Sequence, residues 1–187
     1  MNNFYLGRDN INDIQQIIFD NPASFTYYCG DWDYLAKSCY LPDSFIEYYF
    51  HKFNIKTLIY ESKLSLRIIE KILPILTKDL YNPLLSNQIL SEFLIEKIID
   101  KMNKDDIDWI GILYLQDLSE KFIEKHIMND FDLLNDKSVI TYLCSRQKLS
   151  KKFIEKYRFF LNLDALMRNK LINKEDIEDL ITLKEII

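Results

Sequence analysis

The chain has 187 residues, of which 48% are hydrophobic and 14% aromatic, and this composition is typical of one folded domain rather than of a disordered chain. Only three glycines and four prolines are present, which favours helix through nearly the whole chain. The formal charge of −5 disfavours broad nonspecific attachment to nucleic acid, because that binding depends on lysine and arginine at phosphates. We therefore expect an all-α protein that binds another protein.

The cysteines and the hydropathy pattern bear on location. Cys29, Cys39 and Cys144 form no CxxC pair and follow no signal peptide, so we expect reduced thiols in a cytoplasmic protein. No apolar run reaches about 18 residues, so no membrane span is predicted. No residue pattern calls for a cofactor or a metal.

Residues 9–30 are predicted to form an N-terminal cap. Asn10 can cap a helix that continues through Phe19, and the aromatic loop Asn21–Gly30 follows. The loop's aromatic residues can plug the open end of the core, or they can form a contact surface, since tyrosine is enriched at interfaces.

A pattern of six copies follows the cap. Each copy has a start residue that is leucine or isoleucine, an isoleucine five residues later and a glutamate six residues later. The starts of copies 1 to 6 are Leu41, Leu64, Leu90, Leu118, Leu149 and Ile172. The glutamates are Glu47, Glu70, Glu96, Glu124, Glu155 and Glu178.

Copy 4 shows why each copy should be a helical hairpin. Asp108 can cap a short helix that begins at Trp109, and Ser119 can cap a second helix. Leu118 and Ile123 have the spacing of a hydrophobic staple across the second cap. We therefore predict a single domain, residues 1–187, built as an α-solenoid of about six short helical hairpins with atypical terminal capping helices.

The repeated segments LSEKFIEK at 118–125 and LSKKFIEK at 149–156 resemble the short helical repeats of many uncharacterised proteins of large DNA viruses and bacteriophages. The resemblance extends from Asp31 to about Ile181, with Leu41-Pro42 as a departure in copy 1. It implies a viral or phage origin and a solenoid, and it supplies no catalytic residues.

The repeated glutamates allow two interpretations. Stacked copies could present them as an acidic ladder to a basic partner. Alternatively, each glutamate suits the helix dipole and pairs with lysines three or four residues before it, as Lys151 and Lys152 can do for Glu155. The second interpretation is favoured, since residues that recognise a partner should vary between copies.

Three further features of the sequence bear on catalysis and metal binding. His51 and His126 have no neighbours with metal-ligand spacing, and His126 occupies a register that other copies fill with packing residues. The insertion Met128–Lys137 lacks the glycine and glutamate of a calcium loop and is interpreted as a solvated connection. No phosphate loop, GxSxG or HExxH motif is present, so an enzyme is not expected.

One segment is basic in this acidic chain. Its basic residues could contact phosphates beside stacking rings, although Phe153 and Tyr157 occupy core registers and a solvated helix face is favoured. The six basic residues are Arg146, Lys148, Lys151, Lys152, Lys156 and Arg158.

These patterns predict a non-enzymatic binding module of a virus or phage, in the host-cell cytoplasm, that engages and inhibits a host or viral protein, such as a host-defence protein. The expected protein-binding residues are Tyr27, Tyr28, Tyr48 and Tyr60. Two alternatives stay open: a nucleic-acid-associated protein that uses residues 146–158, and a self-assembling virion component. The sequence leaves the oligomeric state open.

Overall fold

The computed structural model of the protein describes residues 32–38, 41–175 and 177, and every regular element within them is helical. The all-α prediction is therefore confirmed. The chain divides into two compact units, Met1–Leu84 and Leu85–Ile187. The N-terminal cap at residues 9–30 lies outside the described residues. One continuous solenoid stays a prediction.

The first unit contains two complete hairpins and the beginning of a third. Helix α1 packs against α3, and α2 packs against α4, so first helices stack on first helices and second helices on second helices. Its helices are α1 (Trp32–Ser38), α2 (Asp43–Tyr48), α3 (Ile55–Glu61) and α4 (Leu66–Ile72), with 3-10 turns at Phe50–Lys52, Leu73–Ile75 and Lys78–Leu80, and α5 (Tyr81–Asn87) begins in it.

The second unit continues the pattern from the end of α5. Here the first helices of copies 4, 5 and 6 stack in order, because α10 packs against both α7 and α12. Its helices are α6 (Glu92–Ile99), α7 (Trp109–Leu115), α8 (Glu120–Ile123, extended by a π turn at Glu124–Met128), α9 (Phe131–Asn135), α10 (Lys137–Arg146), α11 (Lys151–Tyr157) and α12 (Leu163–Arg168), with a 3-10 turn at Lys104–Asp106.

The predicted helix caps are present. The Asp108 carboxylate accepts the Gly111 N–H at 2.9 Å, and the Ser119 hydroxyl accepts the Phe122 N–H at 3.2 Å. Asn54 and Asn162 cap α3 and α12 in the same way. Each start residue of copies 1 to 5 therefore lies in the short connection between two helices, as the repeat pattern predicted.

The repeated isoleucines form the centre of the core. In all six copies the isoleucine five residues after the start has 0% exposure; these are Ile46, Ile69, Ile95, Ile123, Ile154 and Ile177. The apolar residue six positions before the start is also buried, from Leu35 to Leu166. One hairpin cannot cover both registers alone, so neighbouring copies must stack to exclude water from them.

One local feature differs from the sequence interpretation. The insertion Met128–Lys137 contains helix α9, because Asp130 caps it by accepting the Asp132 and Leu133 N–H groups, and Lys104 pairs with Asp130 at 2.6 Å. Helix α5 begins at Tyr81, directly after a 3-10 turn. No helix among the described residues is long and apolar enough to cross a membrane.

Candidate functional site

A buried carboxamide joins each of copies 4, 5 and 6 to the copy before it. Gln116, which is 2% exposed, donates from Nε2 to the carbonyl oxygens of Leu85 and Gln88, both at 2.7 Å, while its Oε1 accepts the Leu90 N–H at 2.9 Å. The carbonyls belong to the end of α5, where helical acceptors lack partners within the helix. Gln116 therefore caps the preceding first helix from outside.

Copy 5 repeats this geometry one step along the chain. Gln147 donates to the carbonyls of Leu113 and Gln116 at 2.9 and 2.8 Å, and its Oε1 accepts the Leu118 N–H at 3.0 Å. Both glutamines stand two residues before a start. In the first unit Ser62 occupies the same position, and its hydroxyl donates to the Ala36 carbonyl at 3.1 Å. We call the carboxamide contact made by Gln116 and by Gln147 the amide joint.

A second joint connects the caps of the second helices. The Ser65 hydroxyl donates to the Asp43 carboxylate at 2.5 Å in the first unit. In the second unit Glu92 accepts from both the N–H and the hydroxyl of Ser119, and Glu120 accepts the Ser150 N–H at 2.5 Å. The acidic residue always stands two positions after a start, and the serine one position after the next start.

Three of the repeated glutamates bind lysines of the following copy. Glu47 pairs with Lys71 at 2.7 Å, and Glu124 pairs with Lys156 at 2.7 Å. Glu96 pairs with Lys125 at 2.8 Å and also lies 3.1 Å from His126 Nε2. These hydrogen bonds hold the pKa of each glutamate below its usual value, chiefly through the lysine in each case.

These pairs bear on the two interpretations of the glutamates. Three of the carboxylates are engaged by a lysine seven residues after the next start, rather than by lysines three or four residues earlier in their own helix. The ion pairs of these glutamates therefore connect neighbouring copies. Such partly exposed pairs stabilise the fold only slightly.

The connections of copies 4, 5 and 6 enclose a groove of about 840 Å³ in the second unit. It is lined by residues 117–120, 147–151 and 171–173. Its aliphatic surface comes from the start residues and Leu171, which is 54% exposed. Asp117 and Glu120 stand on the copy 4 side, and Lys148 and Lys151 on the copy 5 side. This groove is the candidate binding site.

The predicted tyrosine site is only partly described. Tyr27 and Tyr28 lie outside the described residues. Tyr48 on α2 is 70% exposed and Tyr60 on α3 is 46% exposed. Tyr48 belongs to a second helix and Tyr60 to a first helix, so they lie in different helical layers of the first unit. Their role in protein binding stays a prediction.

The six predicted basic residues are distributed over three places. Arg146 ends α10 and its guanidinium stacks on the Tyr114 ring at 4.4 Å. Lys148 and Lys151 line the groove. The other three, Lys152, Lys156 and Arg158, belong to α11 and its end, where Lys156 is bound to Glu124 and Arg158 stacks on Phe159 at 4.6 Å.

The interpretation of His126 as a boundary packing residue agrees with its surroundings. Its side chain is 15% exposed, and its ring lies 4.5 Å from the Phe122 ring and 6.1 Å from the Trp109 ring. Within the described ranges, no group of three or more His, Cys, Asp or Glu residues could hold a metal ion.

Sequence reasoning missed the amide joint and the groove. Gln88, Gln116 and Gln147 share one position in three copies, and this spacing was the available signal. A polar residue within the apolar stripe of a helix interrupts the hydrophobic periodicity. Its role becomes clear only when its partner in another copy is known. Comparison of the chain with protein-family models, with curated proteins and with solved structures gives no match.

Proposed function

We propose that this protein is a non-enzymatic helical-repeat binding module that engages another protein through residues that vary between its copies. One observation carries the proposal: the residue before the start is exposed in copies 2 to 6, yet its chemistry changes from copy to copy. In copies 2 to 6 these residues are Lys63, Ile89, Asp117, Lys148 and Leu171.

The repeated positions and the variable positions of a copy have different roles, and this difference supports the proposal. The repeated isoleucines are buried, and three of the repeated serines and three of the repeated glutamates bind a neighbouring copy. Large apolar side chains are exposed outside these registers, among them Ile89 at 75% and Phe93 at 69%. Exposed apolar groups on an otherwise polar surface are typical of interaction sites.

The proposed mechanism is occlusion of a partner's surface. A scaffold whose copies are locked by buried carboxamides presents its variable residues with little ordering on binding, which reduces the entropic cost of association. Inhibition of a host or viral protein would follow if the covered surface is functional. The viral or phage origin and the host-cell cytoplasm belong to the proposal and rest on the repeat resemblance.

Affinity capture with the tagged protein from host-cell lysate, with and without nuclease, tests this function. We expect a stoichiometric protein that survives nuclease and is lost with the paired change Ile89→Glu and Phe93→Glu. Tyr48→Ala and Tyr60→Ala, with helix content checked by circular dichroism, test the predicted tyrosines separately. If no protein is captured by the unaltered chain, the binding-module proposal fails.

The nucleic-acid alternative has one observation in its favour. Phe159 is 78% exposed and Phe160 is 49% exposed at the end of α11, and Arg158 stacks on the Phe159 ring. Exposed rings beside cations can stack on unpaired bases. This function predicts binding to oligothymidylate that weakens steeply with salt, and a flat salt response would eliminate it. Concentration-dependent oligomers on sizing would favour the virion-component alternative instead.

A further inference from the structure

A small pocket lies in the first unit, where the second helices of copies 1 and 2 meet. Its volume is about 170 Å³, close to that of a cavity of about 150 Å³ that holds one aromatic ring. Ile68 and Ile72 are buried at its floor, and Phe50 and Lys71 are more exposed members of its lining. Glu47 completes the lining, so an apolar floor lies beside one carboxylate.

Aromatic residues occupy the positions of the two isoleucines in copy 5. Tyr157 stands eight residues after its start, as Ile72 does in copy 2. Phe153 stands four residues after its start, as Ile68 does, and its ring lies 4.8 Å from the Tyr157 ring. The position eight residues after the start therefore varies between copies, as expected of a residue that sets what a copy binds.

The ring at this position reaches the glutamate of the preceding copy. The Tyr157 hydroxyl donates to Glu124 Oε1 at 3.2 Å. The Lys156 ammonium binds the same oxygen at 2.7 Å and stands 4.8 Å from the centre of the Tyr157 ring. In copy 4, His126 Nε2 lies 3.1 Å from Glu96 Oε1. A polar ring and a lysine thus share one carboxylate in both copies.

Copies 1 and 2 have the glutamate and the lysine of this contact but lack the ring. Glu47 Oε1 accepts the Lys71 ammonium at 2.7 Å, whereas Ile72 has no polar atom that could reach the carboxylate. Arg67 binds Glu47 as well, at 3.0 and 3.1 Å. Because a carboxylate has about four acceptor sites, Glu47 can accept a hydroxyl in addition to these two cations.

The charges around the pocket favour a neutral donor on the ring. Arg67 and Lys71 already balance the Glu47 carboxylate, so a cationic ligand would gain little, and the carboxylate repels an anionic ligand. A phenol is neutral near pH 7, because its pKa is about 10. The Lys71 ammonium can also lie over the face of a phenol ring, as Lys156 does in copy 5.

We propose that this pocket binds the side chain of a tyrosine of the protein partner. The phenol hydroxyl donates to Glu47, the ring packs on Phe50 above the buried isoleucines, and the exposed Lys71 side chain moves onto the ring face. The partner thereby supplies the ring that copy 5 supplies from its own chain. This inference rests on the proposed function and assigns a site and a ligand chemistry within it.

The test is an NMR titration of the isoleucine methyl groups with para-cresol, which is the side chain of tyrosine, and with toluene, which lacks only the hydroxyl. We expect the Ile68 and Ile72 methyl signals to shift, with an affinity for para-cresol about fivefold or more above that for toluene, because the hydroxyl bonds to a charged acceptor. Glu47→Gln should remove most of this difference. Glu70→Gln is the matched control, because Glu70 has the same register in copy 2 but does not line the pocket, and it should change neither affinity.

A second variant fills the pocket from within. Ile72→Tyr gives copy 2 the residue that copy 5 has, so it should abolish para-cresol binding while circular dichroism shows unchanged helix content. The same variant should lose the protein captured from lysate. Glu47→Gln keeps the site testable if the larger side chain unfolds the protein.

The opposite results separate this inference from the proposed function. Equal affinity for para-cresol and toluene, or an unchanged preference in Glu47→Gln, overturns the pocket as a phenol site. Captured protein that is retained by folded Ile72→Tyr overturns the partner tyrosine, while the binding-module proposal stands. If the unaltered chain binds para-cresol but captures no protein, the ligand is a free phenol and the binding-module proposal fails.

Discussion

The Gln147 side-chain oxygen accepts the Leu118 N–H at 3.0 Å, although the two residues are 29 positions apart. The same carboxamide donates to two carbonyls at the end of α7. One buried side chain therefore satisfies three backbone groups of the preceding copy. This contact fixes both the distance and the register between neighbouring hairpins, since all three bonds must form together.

Replacement of Gln147 with leucine should lower the free energy of unfolding by about 3 kcal/mol or more, because three buried backbone groups lose their partner. Urea denaturation measures the change. Lys148→Leu, at the next and exposed position, should change stability by no more than about 0.5 kcal/mol. Equal stabilities of the two variants would show that the amide joint contributes little.

Gly111→Ala should destabilise the protein, although this change usually stabilises a helix by about 1 kcal/mol. A Cβ at position 111 would meet Asp108 Oδ2 at 2.6 Å and Ser86 Cβ at 2.9 Å. We expect a loss of about 1 to 2 kcal/mol in thermal or urea unfolding. Ser86→Gly removes one of the two contacts, so it should restore part of the loss, and the absence of any rescue would contradict the steric explanation.

The Glu124 to Lys156 pair should make stability depend on pH. The Lys156 hydrogen bond holds the Glu124 pKa below its usual 4.5, so the contribution of the pair is present above pH 4.5 and is lost as pH falls through the lower folded value. We expect the melting temperature of Glu124→Gln to lie below that of the unaltered protein near neutral pH and to converge with it in acid.

Glu155→Gln is the matched control for this experiment. Glu155 occupies the same register in copy 5, but the sequence of copy 6 carries Asp179 where copies 2 to 5 have lysine. The melting temperature of this variant should follow that of the unaltered protein at every pH. A gap of equal size for both variants would show that the lysine of the next copy is not the cause.

Cys144 should be unreactive in the folded protein. It has 0% exposure, and burial raises the pKa of its thiol to about 11 from 9.0. In a background with Cys29→Ser and Cys39→Ser, we expect a chromogenic disulfide reagent to react slowly without denaturant and rapidly in urea, because only the thiolate attacks the reagent. Rapid reaction of the native protein would indicate that the second unit opens around α10.

Much of the local structure could be predicted from the sequence. Asp108 and Ser119 were predicted as caps and act as caps, because capping depends on residues within one turn. The repeated isoleucines are recognisable from their spacing alone, and they have no exposed surface. The pairing of Glu124 with Lys156 was not predicted, since the lysines of its own helix are equally plausible by spacing alone.

The sequence by itself determined the all-helical class, the positions of the hairpins and the residues at the centre of the core, because these follow from short-range spacing and capping. Tertiary structure decided what the polar repeats do. Gln116 and Gln147 are caps only when the preceding copy brings its carbonyls within 3 Å, as the bonds of 2.7 to 2.9 Å show. The groove likewise forms only where the connections of three copies lie side by side.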